Sequence, residues 1–179
     1  IEMLDVSQEY KSGGPLAREQ NIIKTNPLGQ VPTLLLEDGT TIADSRVICE
    51  YLDGLGGGAL FPAEAKARWN ALTEQSYGDG LLDAALAARY EGLLRSEEQR
   101  WQRWIDGQLA KVHATLDLIE GKAAGFGERV DIGTITFYCA LSYLDLRFAD
   151  LNWREGRPQA AAWFAKIAER PAFGGQKLG

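Results

Sequence analysis

The chain has one histidine, two cysteines and no stretch of clustered basic residues among its 179 positions. A lone histidine, His113, excludes a multi-histidine metal site and argues against a Ser-His-Asp triad. It sits beside an apolar helical stripe and is expected to be a partly buried structural residue. Cys49 and Cys139 form neither a CxxC pair nor a metal-ligand spacing, and no metal site is expected. Both fall in apolar helix faces and are expected to be packing residues, since free cysteine is among the most buried residue types. No apolar run approaches the roughly 20 residues of a membrane span, and no secretory apolar region stands at the start. The net charge is −6. Without a basic patch, that balance speaks against nucleic acid or an anionic membrane as partner. The length suits one large or two small domains with room for a substantial core, and the chain reads as soluble and cytoplasmic.

What is present centres on Asn26-Pro27-Leu28-Gly29-Gln30-Val31-Pro32 and its continuation to Ile48. Turn residues from Asn26 to Gly29 stop the preceding element, and Val31-Pro32 is expected to open a strand. Asp38-Gly39 reads as a two-residue hairpin turn, with both central residues at positive φ. A short second strand ends at Asp44-Ser45, two helix-capping residues in tandem. Beyond them Val47, Ile48, Tyr51, Leu52 and Leu55 stand at helical spacing, so a helix is expected from Ser45 to about Leu55. A proline opening a strand removes a ladder donor. If its peptide bond is cis, Val31 is left with its N–H and C=O as a free edge for an extended peptide. At the helix start, Val47 and Ile48 stand where a capping-box Glu would be, so the N–H groups there are open to an outside anion. An ionised Asp44 beside that anion would favour an ammonium. The pair describes the α-amino-carboxylate end of an amino acid.

Gln30-Val31-Pro32 followed by Asp44-Ser45 resembles the glutathione-binding half of the thioredoxin-like domain of glutathione transferases, and the resemblance runs to the C-terminus. It implies a fold of α/β plus all-α class: an incomplete thioredoxin-like domain over 1–56, a linker over 57–62 and an all-helical domain over 63–179. In that family the residue before the cis proline pairs with the cysteinyl backbone of glutathione, and the acid-Ser pair holds its γ-glutamyl end. The implied binding residues are Gln30, Val31, Pro32, Asp44 and Ser45. The resemblance also implies a further strand and helix ahead of Ile1, a unit of roughly 30 residues. In the family that unit carries the Tyr, Ser or Cys that activates the thiol. No catalytic residue is therefore named, and the chain is expected to be a fragment, a truncation or a chain completed by another.

In chain order, Ile1 to Val6 reads as a strand, Ser7 to Pro15 as a loop and Leu16 to Lys24 as a short helix. Helices only are expected from Ala63 onward. The first runs to about Glu91, with Trp69, Leu72, Ser76, Gly80, Leu81, Ala84 and Ala88 on one side. Its small residues at every fourth position form a ridge for close helix approach, and tight packing or a bend should compensate Gly78 and Gly80. The family resemblance sets this helix beside the substrate cleft and the dimer two-fold, where Tyr77 is a candidate for the electrophile pocket; its alternative is ordinary packing. Ser96-Glu97-Glu98-Gln99 has the form of a capping box opening a helix to about Lys122, with Trp101, Trp104, Ile105, Leu109, Val112, Leu116 and Ile119 buried. Asp131 to Phe148 is apolar on nearly every face and reads as a central helix. Aligning Asp131 with the family's folding box puts Glu128 where a hydroxyl residue belongs. Asp131 is then its own cap, and a reciprocal bond from the short Thr134 side chain is not expected. Pro158 opens a last helix that ends at Arg170-Pro171, with an extended tail from Ala172.

The implied function is binding of glutathione as co-substrate and its conjugation to a small electrophile by a cytoplasmic, homodimeric transferase of the detoxification type. Isomerase or dehalogenase chemistry on the same bound thiol is a variant within enzymes. The rival from another class is a non-catalytic interaction or dimerisation module on the same fold.

Overall fold

The computed structural model describes residues 22–174, which belong to two compact units divided after Ala59. The strand and loop expected over residues 1–15, and the start of the helix expected from Leu16, lie outside the described residues. So does the tail beyond Gly174.

In the N-terminal unit, α1 (Ile22–Thr25) is followed by β1 (Leu34–Leu35), β2 (Thr41–Ile42) and α2 (Ser45–Leu55). The strands pair antiparallel, Leu34 opposite Ile42 and Leu35 opposite Thr41. The turn between them differs from the expected two-residue form. Leu36 N–H donates to Thr40 C=O at 2.9 Å and Gly39 N–H to Leu36 C=O at 3.0 Å, so three residues, Glu37 to Gly39, make the loop. Only Gly39 takes positive φ, at 86°. Asp38 stays in an ordinary conformation because its carboxylate accepts the Thr40 N–H at 2.8 Å, an Asx turn that does the work a second left-handed residue would otherwise do. Helix α2 has the expected bounds. Gly56 N–H closes it on Leu52 and Asp53 carbonyls, and Gly57 at φ 102° turns the chain away.

The C-terminal unit consists of α3 (Ala65–Leu94), α4 (Gln102–Ala123), α5 (Ile132–Arg147), α6 (Pro158–Ala168) and the short α7 (Pro171–Gly174). Helix α5 packs chiefly on α3, α3 also on α4, and α4 on α6. Leu81, Leu116, Ile119, Phe137, Leu141, Leu144 and Trp153 fill the core between them. As expected of a helix apolar on nearly every face, α5 is central. The face of α3 turned inward is not the expected ridge. Ala84 and Ala88 are buried, but Trp69, Ser76 and Gly80 are exposed. Gly78 sets the rotation: a Cβ there would lie 2.7 Å from Thr136 Cγ2 of α5, whereas one on Gly80 would meet nothing within 4 Å. With Gly78 fixed against α5, residues about 180° around the helix, Trp69 among them, must face outward.

The start of α4 also departs from expectation. Ser96 makes no side-chain cap, and Glu97–Gln99 forms a single 3₁₀ turn. Arg100 is extended, and the Trp101 N–H is taken by the Glu91 carboxylate at 3.1 Å, so the helix begins only at Gln102. Trp101 and Trp104 are consequently exposed and stack on each other at 6.2 Å, while the buried stripe runs through Val112, Leu116 and Ile119. His113 and Cys139 are exposed and Cys49 is half-buried, so neither the partly buried histidine nor the packed Cys139 is realised. Residues Pro171–Gly174 are helical where an extended tail was expected.

At the start of α5 the Asp131 carboxylate accepts the Thr134 N–H at 3.0 Å, and Thr134 Oγ1 accepts the Asp131 N–H at 3.0 Å. The reciprocal bond not expected of Thr134 therefore forms; a three-residue reach within the first turn is short enough for a hydroxyl. Asp131 also pairs with Arg129 at 3.2 Å. Arg129 in turn joins Lys122 on the carboxylate of Glu74, which is 1% exposed in α3. Glu128, by contrast, is exposed and pairs with Lys166 at 3.2 Å.

Gly133 lies where α5 meets α3, and a Cβ there would stand 2.7 Å from the Ala71 carbonyl and 2.8 Å from Glu74 Cβ. Gly133→Ala should therefore lower the unfolding free energy, by about 1–3 kcal/mol as overpacking does. Gly107→Ala, in open space on α4, should raise it by up to about 1 kcal/mol. Urea unfolding of the two variants should shift in opposite directions. Shifts of the same sign would contradict this packing.

Candidate functional site

The segment from Gln30 to Pro32 precedes the hairpin, and Asp44-Ser45 follows it. Because Leu34 faces Ile42, extending the register carries Val31 and Ser45 to the same end of the hairpin. All five residues of the expected site lie exposed on the N-terminal unit.

The Val31-Pro32 peptide bond is cis. Val31 is 53% exposed, and no hydrogen bond among the described residues uses its N–H or C=O. The strand expected to open at Val31 opens at Leu34 instead, so the free donor and acceptor stand on a bend ahead of the sheet rather than on a sheet edge. An extended peptide laid beside Val31 could take both groups, as in strand addition.

The start of α2 is partly closed by its own cap. Asp44 Oδ1 accepts the Arg46 N–H at 3.0 Å, and its carbonyl accepts the Ile48 N–H at 3.0 Å. That leaves the N–H groups of Ser45 and Val47 without a partner among the described residues, together with the exposed Ser45 hydroxyl. These donors, at the positive end of an 11-residue helix, suit a carboxylate. The Asp44 carboxylate also has a cation beside it. Its Oδ2 lies 3.7 Å from Arg46 Nε, with both side chains more than half exposed. Such a surface pair is worth only about 0–1 kcal/mol, so an ammonium brought in by a ligand can displace it. The Ala43-Asp44 bond is also cis.

In the sequence Asn26 marks only a turn. The structure buries it beneath the Gln30-Val31 segment, where its side chain bonds Gln30 and Thr33. A buried Asn must satisfy both ends of its amide, but nothing in the order of residues marks Asn26 as buried. Tyr77, the candidate for an electrophile pocket, is exposed on α3. No cluster of three or more His, Cys, Asp or Glu fit to hold a metal occurs among the described residues. None of their helices is long and apolar enough to cross a membrane.

With this geometry in hand, comparison with known proteins gives consistent matches to both units. Residues 6–55 match the family model "Glutathione S-transferase, N-terminal domain", and residues 102–166 match "Glutathione S-transferase, C-terminal domain". A crystal structure of a glutathione transferase family member from Pseudomonas fluorescens Pf-5 with bound glutathione is 42% identical. It superposes with a TM-score of 0.82 over 86% of this chain and 76% of that one. A glutathione S-transferase from Methylobacillus flagellatus KT, with glutathione bound, is 34% identical. Its TM-score is 0.83, over 89% of this chain and 81% of that one. The uncharacterized GST-like protein YibF of Escherichia coli K12 is 26% identical over 94% of this chain and 85% of its own length.

The hairpin holding the two halves of the site together has a pH dependence of its own. Hydrogen bonds from Thr40, the backbone N–H foremost, hold the Asp38 carboxyl below the ordinary aspartate value. A carboxylate lowered in the folded state contributes stability above its unfolded pKa and loses it as pH falls through the folded one. The Thr40 amide resonance should accordingly titrate with a midpoint below that of a free aspartate, and Asp38→Asn should abolish the step. A midpoint at the free-peptide value would contradict the Asx turn.

Proposed function

Because the chain belongs to the glutathione transferase family, which has a thioredoxin-like domain followed by an all-helical one, we propose that it binds glutathione and conjugates it to a small electrophile. We take residues 1–56 as the glutathione-binding domain, 57–62 as linker and 63–179 as the helical domain. The observation that carries the reading is the unspent Val31 main chain at the same end of the hairpin as the open start of α2. Glutathione has a matching layout. Its cysteinyl residue offers a backbone C=O and N–H to Val31, and its γ-glutamyl end offers a carboxylate to Ser45 and Val47 and an ammonium to Asp44. Gln30 flanks the peptide and Pro32 shapes its bed. Solved relatives that hold glutathione support the same ligand.

The chemistry follows from the thiol. A free thiol has a pKa near 8.5 and is mostly protonated at neutral pH. The reaction needs that proton removed. The sulfur lone pair then attacks the electrophilic carbon, forming a C–S bond, while the leaving group departs with its bonding pair or a double bond takes up the charge. The described residues anchor the peptide and so convert a bimolecular encounter into a positioned one. The expected setting is a cytoplasmic homodimer engaged in detoxification.

Asp44→Ala combined with Ser45→Ala should strongly reduce retention on immobilised glutathione and slow conjugation of an activated aryl chloride. Both side chains are exposed, so unfolding should shift by no more than about 1–2 kcal/mol, mostly from loss of the cap. Retention equal to the parent would refute the assignment of the γ-glutamyl site. Full retention by the parent without conjugation would instead favour the non-catalytic interaction module.

A further inference from the structure

Among the described residues of the N-terminal unit, Asn26 is the one buried polar side chain, 5% exposed. Every polar group it has is engaged. Its Nδ2 donates to the Gln30 carbonyl at 3.1 Å and to Thr33 Oγ1 at 3.0 Å, and its Oδ1 accepts the Leu28 N–H at 3.0 Å. Its own N–H closes α1 on Ile22 C=O at 2.7 Å, and its C=O accepts the Gly29 N–H at 2.8 Å, with Gly29 at φ 62°. Thr33 Oγ1 completes the brace by donating to the Gln30 carbonyl at 2.8 Å.

The Gln30 carbonyl and the Val31 N–H belong to one peptide unit. That bond is trans, so its C=O and N–H point in opposite directions across a plane that resists twisting. Two bonds from below on the Gln30 oxygen therefore aim the Val31 N–H away from Asn26 and Thr33. We propose that Asn26, assisted by Thr33, is a positioning residue: it touches no substrate but fixes the peptide plane whose N–H receives the cysteinyl carbonyl of glutathione. This rests on the proposed glutathione site. It adds that the donor's direction is set by a buried amide seven residues upstream of Thr33, not by the hairpin.

Three variants separate this role from simple support of the fold. Asn26→Asp keeps the size and the bond from Leu28 but loses both donors and sets an oxygen against the Gln30 carbonyl. Thr33→Val removes the hydroxyl at constant shape, and Thr33→Ser restores it. Titration calorimetry with glutathione, thermal unfolding and the ¹⁵N–¹H position of Val31 are read together. Misaligning one hydrogen bond in an ordered site should weaken glutathione binding about tenfold in Asn26→Asp and about fivefold in Thr33→Val, with Thr33→Ser within about twofold of the parent. The Val31 resonance should move in the first two variants and keep its place in Thr33→Ser.

A parent that binds, with Thr33→Val and Asn26→Asp binding equally well, overturns the positioning role and leaves the glutathione site standing. Loss of melting temperature at unchanged affinity overturns it too, since that is what a purely structural brace would give. A parent that does not bind glutathione overturns both. Should Asn26→Asp fail to fold, the Thr33 pair decides alone.

Discussion

A carboxylate sealed inside the helical unit sets the terms for everything packed around it. Glu74 stands in mid-α3 at 1% exposure, and an ion so placed is tolerated only when cations and hydrogen bonds replace its water. Lys122 from the end of α4 and Arg129 from the α4–α5 connection supply them. Arg129 passes the constraint on to Asp131, whose carboxylate caps α5, and Gly133 lets the first turn of α5 lie against Glu74 without a side chain between. Three helices are thereby keyed to one acid. Hydrophobic burial supplies the driving force for their association, but it is indifferent to small rotations. The buried charge is not, and removing one partner of such a pair typically costs about 3–5 kcal/mol. Two further contacts tie down α6: Glu120 of α4 accepts the N–H groups of Gln159 and Ala160, and Arg157 binds Asp117.

The N-terminal unit uses polar groups to the opposite end. There the hydrogen bonds are arranged so that a few main-chain groups stay unspent. Asp38 completes the hairpin turn, Asp44 takes one of the N–H groups at the head of α2, and Asn26 and Thr33 hold the Gln30 carbonyl. Among the described residues, the groups left without a partner include the Val31 N–H and C=O at one point and the Ser45 and Val47 N–H groups at another, all on exposed residues. A binding site made of main-chain groups depends little on which side chains occupy the surface, and much on the buried ones that orient the peptide planes. Recognition of a small flexible peptide requires this, because ordering the ligand already costs conformational entropy and the protein must not add its own.

The parts of the fold that were legible in the sequence are those set by strong local rules. Helix α2 ran from Ser45 to Leu55 as its cap and apolar spacing required, α5 was central because apolar residues surround it, and Pro158 stands at the first position of α6. The placement of the candidate residues was legible for the same reason: Val31-Pro32 and Asp44-Ser45 flank a short hairpin, and hairpin register is a local property. The misreadings share a different cause. Which face of α3 turns inward was decided by Thr136 of α5 seating on Gly78, a contact 58 positions away in the chain that no periodicity along α3 encodes. The start of α4 was decided by Glu91 reaching forward to the Trp101 N–H, which broke a sequence that had the form of a capping box at Ser96. Thr134 closed a box usually completed by a longer side chain, because its hydroxyl lies within reach inside one turn. Asn26 was read as punctuation because burial, the property that makes it more than a turn residue, is invisible in the order of residues.

The proposed glutathione site stands on one arrangement, an unspent peptide group at Val31 and an open helix head at Ser45. A crystal structure of this protein with glutathione tests that arrangement directly. It should show the cysteinyl residue in paired hydrogen bonds with the Val31 N–H and C=O, and the γ-glutamyl carboxylate on the N–H groups of Ser45 and Val47. Glutathione seated elsewhere, or a Val31 main chain still facing water in the occupied protein, would contradict it.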